Sequence, residues 1–458
     1  TVTMPNLVDV ASRPTVLATP AFKVPRTFAD NYAANTSAAF ATVDPSLATP
    51  YVQQWNFGIQ REIAKGVFEV RYVGNHATKQ LRAFDLNQIV IKDNGFLDDF
   101  RKAQRNADLS MASTRVFNPA YNPAIAGSQP LPVFDRTSSG GNLGNAAVRN
   151  YIQTGEAGEL ANFYMINRVN GGVQFYRNPL ALGTNLMTNY SNASYNALQV
   201  DYRRTIRDAS VQVNYTWAKS LSDAAGDAQT RFDPFLDNEN AAIERAPTPF
   251  DLRHAFKVNG AYLLPVGNGK LLNTGSGVLE RIFGGWTATG NFTWQTGSPF
   301  SILSGRGTLN RAARSASNTA STSLTGDQLD EIVKFQMTGN GPIMIDRNAV
   351  GTDGRAVAAD GSAAFSGQVF FQPTSGGVGS LQRRMFYGPG YINLDAAVLK
   401  EVRLFENHRM EFRAEAFNVT NTPSFYIGDI TITSATFGRI TSTQSGRRVL
   451  QFGLQYRF

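Results

Sequence analysis

The sequence predicts an all-β chain: an antiparallel transmembrane β-barrel, partial, with about 9–12 strands and long extracellular loops. Three observations carry this. Leu450, Phe452, Leu454, Tyr456 and Phe458 are apolar at every second position, with Gln451, Gly453, Gln455 and Arg457 between them. Such a period puts the two sets on opposite faces of a strand. Charged residues are 17% of the chain, below the roughly 25% of ordinary soluble domains, while aromatics reach 11% with 41 Gly. Finally, the connections between alternating segments are short and long in strict turn.

The first strand is expected over 51–63, with Trp55, Phe57 and Ile59 on one face and Asn56, Gly58 and Gln60 on the other. The turn at Ala64-Lys65-Gly66 leads to 67–74, where Phe68, Val70 and Tyr72 oppose Glu69 and Arg71. Strand 195–206 alternates Leu198, Val200 and Tyr202 with Gln199, Asp201 and Arg203. Strand 210–221 sets Val211, Val213, Tyr215 and Trp217 against Gln212, Asn214 and Thr216. Strand 251–264 carries Phe256, Val258 and Tyr262 against Lys257 and Asn259. Strand 286–295 puts Trp286, Ala288, Phe292 and Trp294 outward, with Thr287, Thr289, Asn291, Thr293 and Gln295 inward. A hairpin over 391–402 and 408–419 precedes the closing strand 447–458.

Connections 64–66, 207–209, 265–285 and 403–407 are short to moderate, whereas 75–194, 222–250, 296–390 and 420–446 are long. Bacterial barrels have short periplasmic turns and long outer loops, so every strand acquires a direction and Phe458 falls on the periplasmic side. By the same parity, residues 1–50 are expected to be an extracellular loop remnant ahead of barrel segment 51–458, with at least one strand before Thr1. Within the long loops, 163–175 and 368–372 are candidate extra hairpins, and 97–108 and 328–337 candidate short helices.

The four Trp fit two membrane girdles. Trp286 and Trp294 lie eight residues apart on one face. With the usual rise and tilt they differ in height by roughly 19 Å, near the spacing of aromatic girdles around an apolar band. Trp55 and Trp217 fall near the outer rim.

Composition excludes several chemistries. The chain of 458 residues has no Cys, which removes disulfides and Cys-based metal sites. No apolar run reaches the roughly 20 residues of a membrane helix. Mean hydropathy is −0.24, which does not count against a barrel, because only alternate residues meet lipid. The net charge of +8 comes without a recognition helix or a compact basic cluster, so no nucleic-acid partner is expected. His76, His254 and His408 share no metal-ligand spacing, and no cofactor is expected. Segment Gly267-Asn268-Gly269-Lys270 lacks the full spacing of a phosphate loop and the following Ser/Thr, and reads as a turn. Asp223, Asp227, Asp233 and Asp237 are scattered through one outer loop, which favours solvated charge over a cation site. No catalytic constellation is found and no enzyme is expected. Glu411, Arg413 and Glu415 form an inward charge ladder with Asp395 on the facing strand, a lumen ladder or part of a plug contact or solute route.

Together these motifs resemble TonB-dependent receptors of the Oar-like type: YVQQWNFGIQRE at 51–62, YNALQV at 195–200, YTWAKS at 215–220, FDLRH at 250–254, GGW at 284–286 followed by TGSPF at 296–300, RAEAFNVTN at 413–421 and FGRI at 437–440. The resemblance covers most of 50–81, 186–303 and 384–458, and it lies in the shared order of the motifs. It implies a barrel of about 22 strands holding an amino-terminal plug that contacts the TonB complex. The plug region is expected to lie outside this sequence, which carries roughly half of such a barrel. Expected partners are outer-membrane lipid and lipopolysaccharide, the barrel-assembly machinery and an unidentified ligand. Leu454, Tyr456 and Phe458 are the expected assembly signal. The function implied is active transport of a large or scarce solute across the bacterial outer membrane; the alternative is a passive porin or a surface-adhesion or secretion barrel.

Overall fold

The computed structural model describes residues 24–27, 29–30, 32, 39–224, 232–311 and 314–458. Most of residues 1–38, including much of the expected loop remnant, and Asp227 lie outside the described residues. Nine long strands follow in chain order: β1 Tyr51–Ile63, β2 Gly66–Asp85, β3 Gly183–Ile206, β4 Ala209–Ser222, β5 His254–Leu263, β6 Trp286–Gln295, β7 Tyr391–Phe405, β8 His408–Phe417 and β9 Val449–Arg457. Each pairs antiparallel with the next. The sheet is therefore a meander whose free edges are β1 and β9. Two short strands complete its 11 members: Ala39–Val43, parallel to the start of β3, and Ala246–Pro247, against the end of β4. Among the described residues the sheet does not close on itself.

All nine expected strands are present. The β1–β2 turn is a two-residue hairpin with Ala64 at φ 53° and Lys65 at φ 61°, the doubly left-handed backbone that matches strand twist. Two strands far exceed the expectation, β2 running on to Asp85 and β3 starting at Gly183, and β7 runs on to Phe405. The β2–β3 register shifts between Ala77 and Gln80 and again before Arg82, around Lys79 at φ 56°. A bulge exchanges the faces of the following residues, so simple alternation ends there while pairing continues.

Register aligns the two side-chain sets across the whole sheet. One row reads Ile59, Val70, Val200, Tyr215, Phe256, Trp294, Ile392. The adjacent row, on the opposite face, reads Gln60, Glu69, Asp201, Asn214, Lys257, Thr293, Asn393. Much of the apolar face lies uncovered: Phe57 is 69% exposed, Trp217 52% and Phe452 69%. The buried strand residues Ala197 and Ala218 belong to the polar face instead. A soluble sheet buries its apolar side; this one leaves that side open.

The candidate extra hairpins do not form. Residues 163–175 enter the end of a helix, Ala157–Ile166, and a turn. Phe163 and Tyr164 face the interior of a helical layer, whose 3.6-residue period overrides the short alternation. Within 368–372 only Phe370–Phe371 is extended, paired with Ser321–Thr322 outside the main sheet. The helix expected over 97–108 is found as Phe96–Thr114; of 328–337 only the first part is helical, within Gly326–Ile332, and Gln336–Thr338 is a short strand.

Candidate functional site

The long loops fold into a cap at one end of the sheet. Helix α1, Phe96–Thr114, turns Phe96, Phe100 and Ala103 inward. They meet Val148 and Ile152 of α2, Ala146–Thr154, and Leu160 and Tyr164 of α3, Ala157–Ile166. Helix α2 starts because Asn145 accepts the Ala147 N–H at 2.8 Å, and it stops at Gly155 with φ 76°. A second core joins two loops: Phe300, Ile302, Ile345 and Phe370 from one, Ile432 and Phe437 from the other.

Buried ion pairs tie this cap to the strand tops. Glu244 is fully buried; it accepts from Arg383 and lies 3.6 Å from the Arg82 guanidinium. Burial, with Arg384 and Arg82 adjacent, pulls the Arg383 guanidinium down to about 10, so it remains a cation at neutral pH. Asp85 accepts from Arg314 Nε at 2.8 Å and from the Thr184 N–H at 2.7 Å. Asp251 accepts from Tyr387 Oη at 2.6 Å and from the Ser220 N–H at 2.5 Å, with Arg253 at 3.2 Å.

Two cavities open on the polar face beneath the cap. The upper, of about 600 Å³, lies among the cap-side ends of β1–β4 and is bounded by Asp233, Thr248 and Phe250 of the 222–253 connection. The lower, of about 690 Å³, is lined by Glu69, Arg71, Asp201, Arg203 and Lys257. Tyr195, Ser220 and Phe250 belong to both, so the two are continuous.

An uncovered apolar face, a polar opposite face and a cap over one end fit a barrel wall in lipid. A family model for the outer membrane β-barrel domain matches residues 1–451. The chain belongs to this family. It is a β-barrel domain of the bacterial outer membrane. No curated protein matches it. Among solved structures it is similar to the outer membrane transporter YddB from Escherichia coli, at 9% identity and TM-score 0.38, over 91% of this chain and 34% of that one. It is also similar to a mutant ferric enterobactin receptor from Pseudomonas aeruginosa, at 8% identity and TM-score 0.33, over 89% of this chain and 31% of that one. The chain thus spans about a third of the length of these structures.

In the barrel domain, Trp217 lies two residues along β4 from the row of Trp294, and Trp55 lies four residues along β1 from it. Trp286 lies at the opposite end of β6, in a row with Lys400, Phe412 and Leu454. Arg413 bonds Glu411 at 3.1 Å and lies 3.6 Å from Glu415, while Arg457 reaches Glu411 at 3.4 Å. Asp395 shares their face but not their ladder; it accepts the Asn418 N–H at 2.8 Å and Asn393 Nδ2 at 2.9 Å, fixing the turn after β8. Asp223 accepts the Asn192 N–H at 3.0 Å, Asp233 lies 3.6 Å from Arg82 and Asp237 3.3 Å from Lys92, so each serves the loop packing separately.

At the short-turn end Leu454 and Tyr456 are exposed on the apolar face, where Tyr456 Oη meets His408 Nδ1 at 2.6 Å and the His408 ring stacks with Phe458. The sequence gives no hint of this pair, because His408 and Tyr456 meet only through the β8–β9 register. Lys400, also on the apolar face, escapes lipid by donating to the Gly284 carbonyl and, at 3.5 Å, to that of Glu280. These carbonyls end helix α4, Gly277–Phe283, where Trp286 Nε1 also donates to the Ile282 carbonyl at 2.9 Å. Ser191, Tyr195, Thr248 and Phe250 of the upper cavity were not singled out by alternation, since their grouping depends on loop packing.

Proposed function

We propose that this barrel domain serves a TonB-dependent outer-membrane transporter of the Oar-like type, moving a large or scarce solute actively and performing no chemistry of its own. The observation that carries the reading is the continuous polar face running from cavities under a folded cap down the sheet, with the apolar face left to lipid. The cap captures the solute. A plug region driven by the TonB complex then opens the route along the polar face. Glu411, Arg413 and Glu415 line that route or anchor the plug, with Asp395 shaping its rim. Trp55, Trp217, Trp286 and Trp294 serve as membrane girdles toward lipid and lipopolysaccharide, and Leu454, Tyr456 and Phe458 as the signal read by the barrel-assembly machinery.

The test is solute uptake in cells carrying the full-length gene, compared with and without TonB and with the inner-membrane potential collapsed. Uptake that stops in both conditions supports the proposal. Uptake that persists in both contradicts it and favours the passive porin.

A further inference from the structure

We infer that helix α4 and the turn before it are a lipid anchor on the outside of the wall, at the short-turn end. They insert Leu271, Leu272, Val278, Leu279, Ile282 and Phe283 among anionic phospholipids. The inference rests on the outward facing of the apolar rows and not on transport.

The connection is longer than its hairpin requires. Strands β5 and β6 already meet beyond the end of β5, where the Leu264 N–H donates to the Trp286 carbonyl at 2.7 Å. Two residues, Ala64 and Lys65, close the β1–β2 hairpin. Residues 265–285 instead fold back as a turn and helix α4. A helix of seven residues does not hold itself in water, and polar contacts hold this one. Ser276 Oγ accepts the Leu279 N–H at 3.2 Å. The Glu280 carboxylate accepts from the Asn268 N–H at 2.7 Å and from Thr274 Oγ1 at 2.8 Å. Lys400 and Trp286 hold the last carbonyls. Both side chains stand on the apolar face, so the helix lies on the lipid side of the wall and not over the lumen.

The polar groups that shape the helix are thus engaged while its apolar groups are bare. No residue of α4 is buried. Leu271 is 86% exposed and Val278 69%, and Leu272, Ile282 and Phe283 are each more than half exposed. Val278 and Ile282 are four residues apart, as are Leu279 and Phe283, so the four share one side of the helix. A short helix with a bare apolar side, joined to a surface given to lipid, fits the boundary between headgroups and acyl chains. Charge selects the lipid. Arg281 is exposed on the helix, and Arg61 and Arg204 stand on the apolar face near two other short turns. None of the three forms an ion pair among the described residues. Beside the helix, Asp208 is taken by Lys270 at 2.8 Å and Glu280 by the turn. The unmatched charge is positive, and each such cation near the surface favours anionic headgroups by about fivefold.

The sequence has no Cys, so a single introduced cysteine carries a fluorophore at one place. The full-length protein, with an NBD dye at Val278→Cys, Ile282→Cys or Phe292→Cys in turn, is reconstituted in phosphatidylcholine vesicles containing a doxyl lipid. The doxyl group lies high on the acyl chain for the first two positions and near its end for the third. Dye at 278 and 282 should emit at short wavelength and be quenched by the doxyl. Doxyl phosphatidylglycerol should quench at lower concentration than doxyl phosphatidylcholine, and Arg281→Gln should narrow the difference by about fivefold. Water-like emission at 278 and 282 overturns the inference. So does short-wavelength emission that no doxyl quenches, the result of cover by a second copy or another protein. Equal quenching by the two lipids overturns the anionic assignment. Quenching at 292 without quenching at 278 and 282 sinks this anchor alone, whereas no quenching at 292 sinks the outward facing itself.

Discussion

Phe292 and Thr293 are sequence neighbours on opposite faces of the sheet. Phe292 stands between Val258 and Leu394, and Thr293 between Lys257 and Asn393. The first environment is hydrocarbon and the second is polar and wet. Phe292→Arg should therefore cost about 2–4 kcal/mol in folding free energy in lipid, near mid-membrane depth, and Thr293→Arg much less. Denaturant titration in lipid vesicles reads both. Equal costs would contradict the facing.

Glu244 is the hub between β2 and the cap. Its removal leaves the Arg82 and Arg383 guanidinium groups without their buried carboxylate. Glu244→Ala should destabilise the cap by about 3–5 kcal/mol. Hydrogen exchange should speed up across 232–253 and 380–387 while the central sheet amides keep their protection. Unchanged exchange in the cap would show that the pairs contribute nothing net.

Lys400→Leu removes the donor to the last carbonyls of helix α4. Faster amide exchange is expected over 277–285, with protection of β7 retained. Protection of the helix equal to the parent would argue against the lysine as its anchor.

Deleting Phe458 breaks the aromatic group it forms with His408 and Tyr456. Membrane insertion in cells should fall, read as the folded fraction on unheated gels. Full insertion of the deletion would remove the assembly role assigned to this end.

The strands were legible because the membrane imposes its alternation on each one separately, so nine local patterns sufficed. Glu411, Arg413 and Glu415 fell on one face for the same reason. The bulge around Lys79 hid the outer halves of β2 and β3 by exchanging their faces. Asp395 was legible as inward but not as the acceptor of the Asn418 N–H, which depends on the turn after β8. In the cap only helix α1 and part of helix Gly326–Ile332 were legible, since residues such as Phe300 and Ile432 meet across more than a hundred positions of chain. Ser191 and Thr248 are invisible for that reason too.

Everything above depends on lipid solvating one face of every long strand. Nitroxide side chains placed singly at each position from 286 to 295, in vesicles, measure it through relaxation by oxygen, which concentrates in hydrocarbon, and by a water-soluble nickel complex. Oxygen maxima are expected at the even positions, including 292 and 294, and nickel maxima at the odd ones. Oxygen and nickel accessibilities that rise and fall together, with no two-residue period, would contradict it.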